Sequence, residues 1–314
     1  MLRRNALILA GLAATAVITG CGSSDDPAPV AVSLDIVELA QATPDLSFLV
    51  EAVVSAELVD TLKGAGPFTV FAPTNAAFAA LLTELGLSKA QLLADKALLK
   101  TVLTYHVLPA KVERAQVPRG KAVSTVQGSI LKVEASGTDL TITDGRNRSA
   151  RILATDIQAK NGVIHTINRV ILPANKNIVE TAQALPQFSV LVEAVLAANL
   201  QGTLSGAGPF TVFAPTNDAL TALLAELNIS KAALLADTAL LTKVLTYHVL
   251  AGRVLKADVP VNTPITTVQG GTISVSSTFV LADQRGRNSN ITATDVLTSN
   301  GVIHVIDKVI LPAP

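Results

Sequence analysis

The chain has 314 residues, with 24 Lys and Arg against 24 Asp and Glu, so its formal net charge is zero. Charged residues make up 15% and hydrophobic residues 49%, which excludes a disordered solvating chain and a polybasic nucleic-acid binder. One Cys, one Met and no Trp exclude a disulfide framework and a zinc site built from several thiolates. The first predicted element in chain order is an export signal at residues 1–20. Arg3 and Arg4 form its positive end, and the 13-residue, largely apolar run from Ala6 to Ile18 is too short to span a bilayer comfortably.

Ile18-Thr19-Gly20-Cys21 follows that run and resembles a bacterial lipobox. In such sequences the chain is cut before the Cys, whose new N-terminus carries lipid. Several acyl chains, at about 0.8 kcal/mol per buried CH₂, hold firmly to a membrane. Removal of Arg3 and Arg4 leaves 22 basic against 24 acidic residues, a net charge of −2. The residue after Cys21 is Gly22 and not Asp, which resembles the sorting pattern for the outer membrane. Residues 21–33 contain Ser23, Ser24, Asp25, Asp26, Pro27 and Pro29 and are predicted to be an extended, flexible tether.

The rest is one sequence written twice. Thr61–Asn75 and Thr203–Asn217 match at fourteen of fifteen positions with an offset of 142. Leu98–Leu108 and Leu240–Leu250 match at nine of eleven at the same offset. Asn161–His165 recurs as Asn300–His304 at an offset of 139, so three residues are missing from the second copy between Gly270 and Ala293. A period this long makes each copy a domain and not a solenoid unit. The predicted domains are 34–173 and 177–312, joined by Ala174–Lys176, a linker short enough to give a semi-rigid pair.

Each copy begins helical. Thr43-Pro44-Asp45 reads as an N-cap with Pro at the first helical position, and Leu46, Leu49, Val50 and Val53 then share one face. Gly64 and Gly66 end that stretch, Phe68–Phe71 favours a strand, and Pro73 stops it. Thr74-Asn75 predicts the start of a helix carrying Phe78, Leu81, Leu82 and Leu85, with Gly86 at its end. Ser88 predicts a further helical region running to Leu103. After Val107 the pattern turns to short β runs: Ala122–Val126, Ile130–Val133, Leu140–Thr143, Arg151–Ala154 and Val163–Leu172. Asp144-Gly145 is a hairpin signal between two of them. Helices followed mostly by strands predict an α+β fold, not a parallel α/β sheet.

Chemical signatures are sparse. The histidines form equivalent pairs, His106 and His165, then His248 and His304, with no HExxH and no close acidic partner, so no metal site or cofactor is predicted. Gly64-Ala65-Gly66-Pro67 lacks the preceding strand, the third Gly and the following helix of a dinucleotide fingerprint. No nucleophile elbow, Walker loop or CxxC occurs, and the chain is expected not to be an enzyme. Arg146, Arg148 and Arg151 cluster beside the Asp144-Gly145 turn, with Arg285 and Arg287 in the matching turn. They read either as anion-binding loops or as solvated hairpin tips whose charge Asp144 and Asp283 balance.

Three ordered motifs carry a family resemblance: Phe68–Asn75, Tyr105-His106 and Asn161–His165, repeated as Phe210–Asn217, Tyr247-His248 and Asn300–His304. They resemble the fasciclin domain over residues 34–312. The resemblance implies a wedge of two small β-sheets packed with helices, in a protein of cell adhesion and matrix contact, without catalysis. In animal members a Tyr-His pair and a downstream Asp-Ile are linked to adhesion. The matching positions are Tyr105, His106, Asp156 and Ile157, then Tyr247, His248 and Asp295, with Val296 in place of Ile. The expected protein is therefore an exported lipoprotein, anchored by Cys21 in the cell envelope at the outer membrane or cell surface. Its two domains would contact a cell-surface or matrix protein or a polysaccharide, bivalently, and no nucleic acid. A second reading, from the high apolar content, is a periplasmic carrier or sensor of an apolar small molecule or envelope partner.

Overall fold

A computed structural model of the chain describes residues 34–314. The predicted signal at 1–20, the tether at 21–33 and Cys21 lie outside the described residues. Repeat 1 runs α1 (Ile36–Gln41), α2 (Ser47–Ser55), α3 (Val59–Lys63), β1 (Phe68–Pro73), α4 (Asn75–Leu85), α5 (Lys89–Ala94), α6 (Lys96–Tyr105), β2 (Val107–Leu108), β3 (Ala122–Ser124), β4 (Ile130–Ser136), β5 (Asp139–Thr143), β6 (Ser149–Ala159) and β7 (Gly162–Ile167). Repeat 2 follows the same order as α7 (Ile178–Gln183), α8 (Ser189–Ala197), α9 (Gln201–Leu204), β8 (Phe210–Pro215), α10 (Asn217–Leu227), α11 (Lys231–Ala236), α12 (Thr238–Tyr247), β9 (Val249–Ala251), β10 (Ile265–Thr266), β11 (Thr272–Val275), β12 (Val280–Ala282), β13 (Asn288–Thr298) and β14 (Gly301–Ile306). This is the expected α+β architecture, twice.

Local chemistry sets the helix ends. Asp35 and Glu38 form a reciprocal capping box on α1, as Asn177 and Glu180 do on α7. Thr74 caps α4 by accepting from the Ala77 N–H, and Gly86 closes it in the left-handed conformation. The helical region expected from Ser88 to Leu103 is present and is divided into two helices. Asp95 takes a non-helical ψ of 79° between α5 and α6, and its carboxylate accepts the Leu98 N–H to start the second. The start at Thr43 also differs. Pro44–Leu46 forms a 3₁₀ turn, and the Thr43 hydroxyl donates back to the Leu39 carbonyl at 2.9 Å instead of capping α2.

Each sheet has seven strands, in the order β2-β1-β7-β6-β5-β4-β3 and its equivalent in repeat 2. The pairs are antiparallel except β1 with β7 and β8 with β14, which join the first strand of a repeat to its last. Backbones approach closely there: a Cβ on Gly162 would lie 2.1 Å from the Phe68 carbonyl oxygen, so only glycine serves. Asn161 ties the same corner together. Its side chain accepts from Ile36 N–H and donates to the carbonyls of Leu62 and Gly64. Several strands are longer than their apolar runs, because β4 and β6 continue as paired backbone through polar positions.

Period-two alternation divides each core. Val70 and Ala72 of β1 face the helices, where Phe48 and Phe78 stack at 4.4 Å. Phe71 faces the other side with Tyr105, Leu131, Ile142 and Ile167. Repeat 2 has the same two clusters. The two repeats together form one compact unit.

Candidate functional site

The Tyr-His pairs close each helix layer onto its sheet. Tyr105 ends α6 and is fully buried; its hydroxyl donates to the Ile130 carbonyl at 2.7 Å and accepts from Gly145 N–H at 2.8 Å. His106 Nδ1 donates to the Val102 carbonyl at 2.7 Å, and Nε2 accepts from Ile171 N–H at 3.1 Å. Those partners fix a neutral tautomer, and burial pushes its pKa down to about 4. Tyr247 and His248 repeat both arrangements, with Thr272, Gln284, Val244 and Ile310 as partners. Burial also pushes His248 down to about 4. Their polar atoms are committed to backbone, so all four side chains act as internal braces joining α6 or α12 to the sheet.

The downstream aspartates are different. Asp156 and Asp295 each sit at a β-bulge with φ near +60°. Each main-chain N–H donates to a histidine Nδ1, His165 or His304, whose Nε2 donates to the Val112 or Val254 carbonyl. Each carboxylate accepts the N–H that opens a 3₁₀ turn, Arg114 at 2.8 Å and Lys256 at 2.7 Å. There the equivalence ends. Asp156 is half-buried, whereas Asp295 is 5% exposed because Lys132 of repeat 1 reaches its second oxygen at 3.1 Å. Ile157 and Val296 pack against the helix-side cores.

Further contacts surround this ion pair. Asn147, on the repeat 1 hairpin, donates to the Leu297 carbonyl at 3.0 Å and accepts the Leu297 N–H at 2.6 Å. Ile130 packs with Leu255, Leu297 and Val302 of repeat 2. Lys121 and Asp258 lie 3.4 Å apart at the edge. Burial alone would lower the Lys132 ammonium's pKa, but hydrogen bonding to Glu134 and the charge of Asp295 outweigh it and raise the pKa. Sequence reasoning missed Lys132, Asn147, Leu255 and Leu297. The available signal was divergence between the copies, since at the matching positions stand Ser274, Gly286, Glu113 and Gln158.

The arginines do not converge on a shared space. Arg148 turns inward, with Nε and Nη2 at 3.0 and 2.7 Å from one Asp144 oxygen and Nη1 at 2.7 Å from Glu84. Asp144 is fully buried and also accepts the N–H groups of Arg146, Arg148 and Leu172. Asp144 thus balances the arginine charge, as the second reading expected, but from inside the domain, while Asn147 at the tip stays exposed. Arg146 is half-buried, and Arg151 lies exposed, 3.8 Å from Asp139. In repeat 2, Arg287 pairs with Glu226, and Arg285 donates to the Pro312 carbonyl at 2.8 Å. Among the described residues no group of three or more His, Cys, Asp and Glu could hold a metal ion. Each helix layer holds a small, partly open apolar pocket, about 30 Å³ in repeat 1 and about 40 Å³ in repeat 2. No helix among the described residues is long and apolar enough to cross a membrane.

Comparison with known proteins identifies the repeats. A family model described as Fasciclin domain matches residues 44–173 and 186–312. The chain is 31% identical over 261 residues to human periostin, covering 82% of this chain and 29% of periostin. It is 43% identical over 144 residues to protein sll1483 of Synechocystis, covering 45% of this chain and 74% of that protein. Against the cell surface glycolipoprotein MPB83 of Mycobacterium bovis it is 33% identical over 152 residues, or 48% of this chain and 63% of MPB83. The chain thus spans under a third of the length of periostin. A solved FAS1 domain pair from the insect cell adhesion molecule fasciclin I is 18% identical with a TM-score of 0.44, over 84% of this chain and 95% of that one.

Proposed function

Because this chain belongs to the fasciclin-domain family, we propose that it is a non-enzymatic contact protein of the cell envelope, mediating adhesion to a cell-surface or matrix protein or a polysaccharide. The observation that carries this reading is the tandem family match at 44–173 and 186–312, which spans nearly all of the described chain. The relative named as a cell surface glycolipoprotein supports display at a surface, and so does the lipobox-like Ile18–Cys21. Contact falls to the outer faces of the pair. The Tyr-His braces are enclosed and Asp295 is taken up by Lys132, which leaves Asp156 as the accessible member of the motif. Two equal sites of the kind expected from the repeat alone are therefore replaced by one.

The carrier reading has less support. Apolar pockets of about 30 and 40 Å³ are far below the ~300 Å³ or more of ordinary ligand pockets. The test of the proposal compares attachment of producing and deletion cells to immobilised matrix protein and polysaccharide, alongside Asp156→Ala and Cys21→Ser. The reading expects deletion to abolish attachment, Asp156→Ala to weaken it severalfold, and Cys21→Ser to release the protein from membranes. Equal attachment by deletion and producing cells would overturn it.

A further inference from the structure

We infer that the contact between the repeats is a one-way docking joint, and that both outer ends of the pair are altered so that a second copy of this chain does not dock in the same manner. Repeat 1 presents the face of β4 and its hairpin: Ile130, Lys132 and Asn147. Repeat 2 presents the face around β13: Leu255, Asp295 and Leu297. These faces are not the same patch on the two repeats, so the contact is heterologous. Repetition of such a contact between molecules generates a ring or an open chain unless something blocks it.

The duplicated fold supplies the unused half of each face for inspection. At the outer end of repeat 2, the positions of Ile130, Lys132 and Asn147 hold Thr272, Ser274 and Gly286. The ammonium, the amide fork and the apolar contact are all gone. At the outer end of repeat 1, the positions of Leu255 and Leu297 hold Glu113 and Gln158, which bond to each other at 3.3 Å. Asp156 keeps the backbone conformation and turn cap of Asp295. A second copy docking there would bury the Asp156 and Glu113 carboxylates opposite Ser274 and bring no ammonium in the place of Lys132; Glu113 keeps only Lys111 of its own repeat, at 3.2 Å, which leaves Asp156 unmatched and strongly disfavours the contact. The inner joint is matched on both sides and the outer ends on neither.

Two full-length variants test this by sedimentation velocity, alone and mixed. One carries Glu113→Leu and Gln158→Leu. The other carries Thr272→Ile, Ser274→Lys and Gly286→Asn; the last is compatible with the local backbone, since Gly286 has φ +71° and Asn147 already takes φ +61° in repeat 1. The wild type and each variant alone should sediment as single chains. The mixture should form a one-to-one complex at concentrations up to roughly 1 mM, the effective concentration that a short linker supplies within one chain. A mixture of folded variants that stays monomeric, or a wild type that already forms rings or chains, would overturn the inference. Should either variant fail to fold, Lys132→Ser with Asn147→Gly in the full chain tests the same joint from the inside. Small-angle scattering should then change from one rigid body to two loosely coupled ones, and an unchanged profile would contradict the joint.

Discussion

Asp156 and Asp295 occupy the same bulge with φ of 61° and 60° and cap the same turn at 2.8 and 2.7 Å. One faces outward and the other is sealed under Lys132. The braces behind them match as closely, since Tyr105 with His106 and Tyr247 with His248 make the same hydrogen bonds in each repeat. The difference teaches that duplication kept what holds each domain together and altered what each domain shows. A few side chains at the surface turn one copy of a motif into an accessible group and the other into an internal connector.

The largest expected effect concerns what the repeats share. His106 and His248 are held neutral, near pKa 4 against an ordinary 6.5. The unfolded chain therefore binds protons more readily between those values. Stability is fully present above pH 6.5 and is lost as pH falls through 4, by about 3 kcal/mol per histidine at full effect. Urea unfolding from pH 7.5 to 4.5 should show this in both repeats; a flat profile would contradict the neutral braces. Next, Asp144→Ala takes the buried carboxylate away from Arg148, which keeps Glu84, and leaves three backbone N–H groups without their acceptor; it should cost about 4 kcal/mol. Asp283→Ala should cost less, because the Arg287 Nε lies 3.8 Å away in that copy. Lys132→Ala leaves Asp295 buried without its cation and should cost about 3 kcal/mol. By contrast, Asp156→Ala removes only a turn cap, at about 1 kcal/mol. Equal losses from those two would erase the proposed difference between the faces. Of similar size is Asn147→Gly, which removes the fork on Leu297 for about 1 kcal/mol.

Much of the domain was legible in the sequence because its signals are local. Thr74 and Gly86 mark α4, Pro73 ends β1, and the duplicated motifs delimit the copies. The break between α5 and α6 was missed because Asp95 lies inside an apolar pattern continuous from Leu92 to Leu103. Only its backbone angle and cap reveal it. The two-residue strand β2 and the parallel pairing of β1 with β7 depend on contacts about 40 and 95 positions away, as in Thr69 with Leu108 and Phe68 with Gly162, which no window of sequence contains. The arginine cluster was visible, but its direction was not. Asp144 draws Arg148 inward because an unpaired buried carboxylate costs more than a tip charge gains. The joint between the repeats was unread for a related reason. Lys132 and Asn147 look like ordinary polar surface until the partner domain is placed against them.

The most direct test is residue-resolved amide exchange on the intact chain at two equivalent positions, Leu297 and Gln158. Leu297 N–H donates to Asn147 across the joint at 2.6 Å, while Gln158 occupies the outward face of repeat 1. The account predicts slow exchange at Leu297, fast exchange at Gln158, and equalisation by Asn147→Gly through acceleration of Leu297 alone. Equal rates at the two amides in the unaltered protein would show that the repeats do not dock as described, and the division into an inner and an outer face would fall.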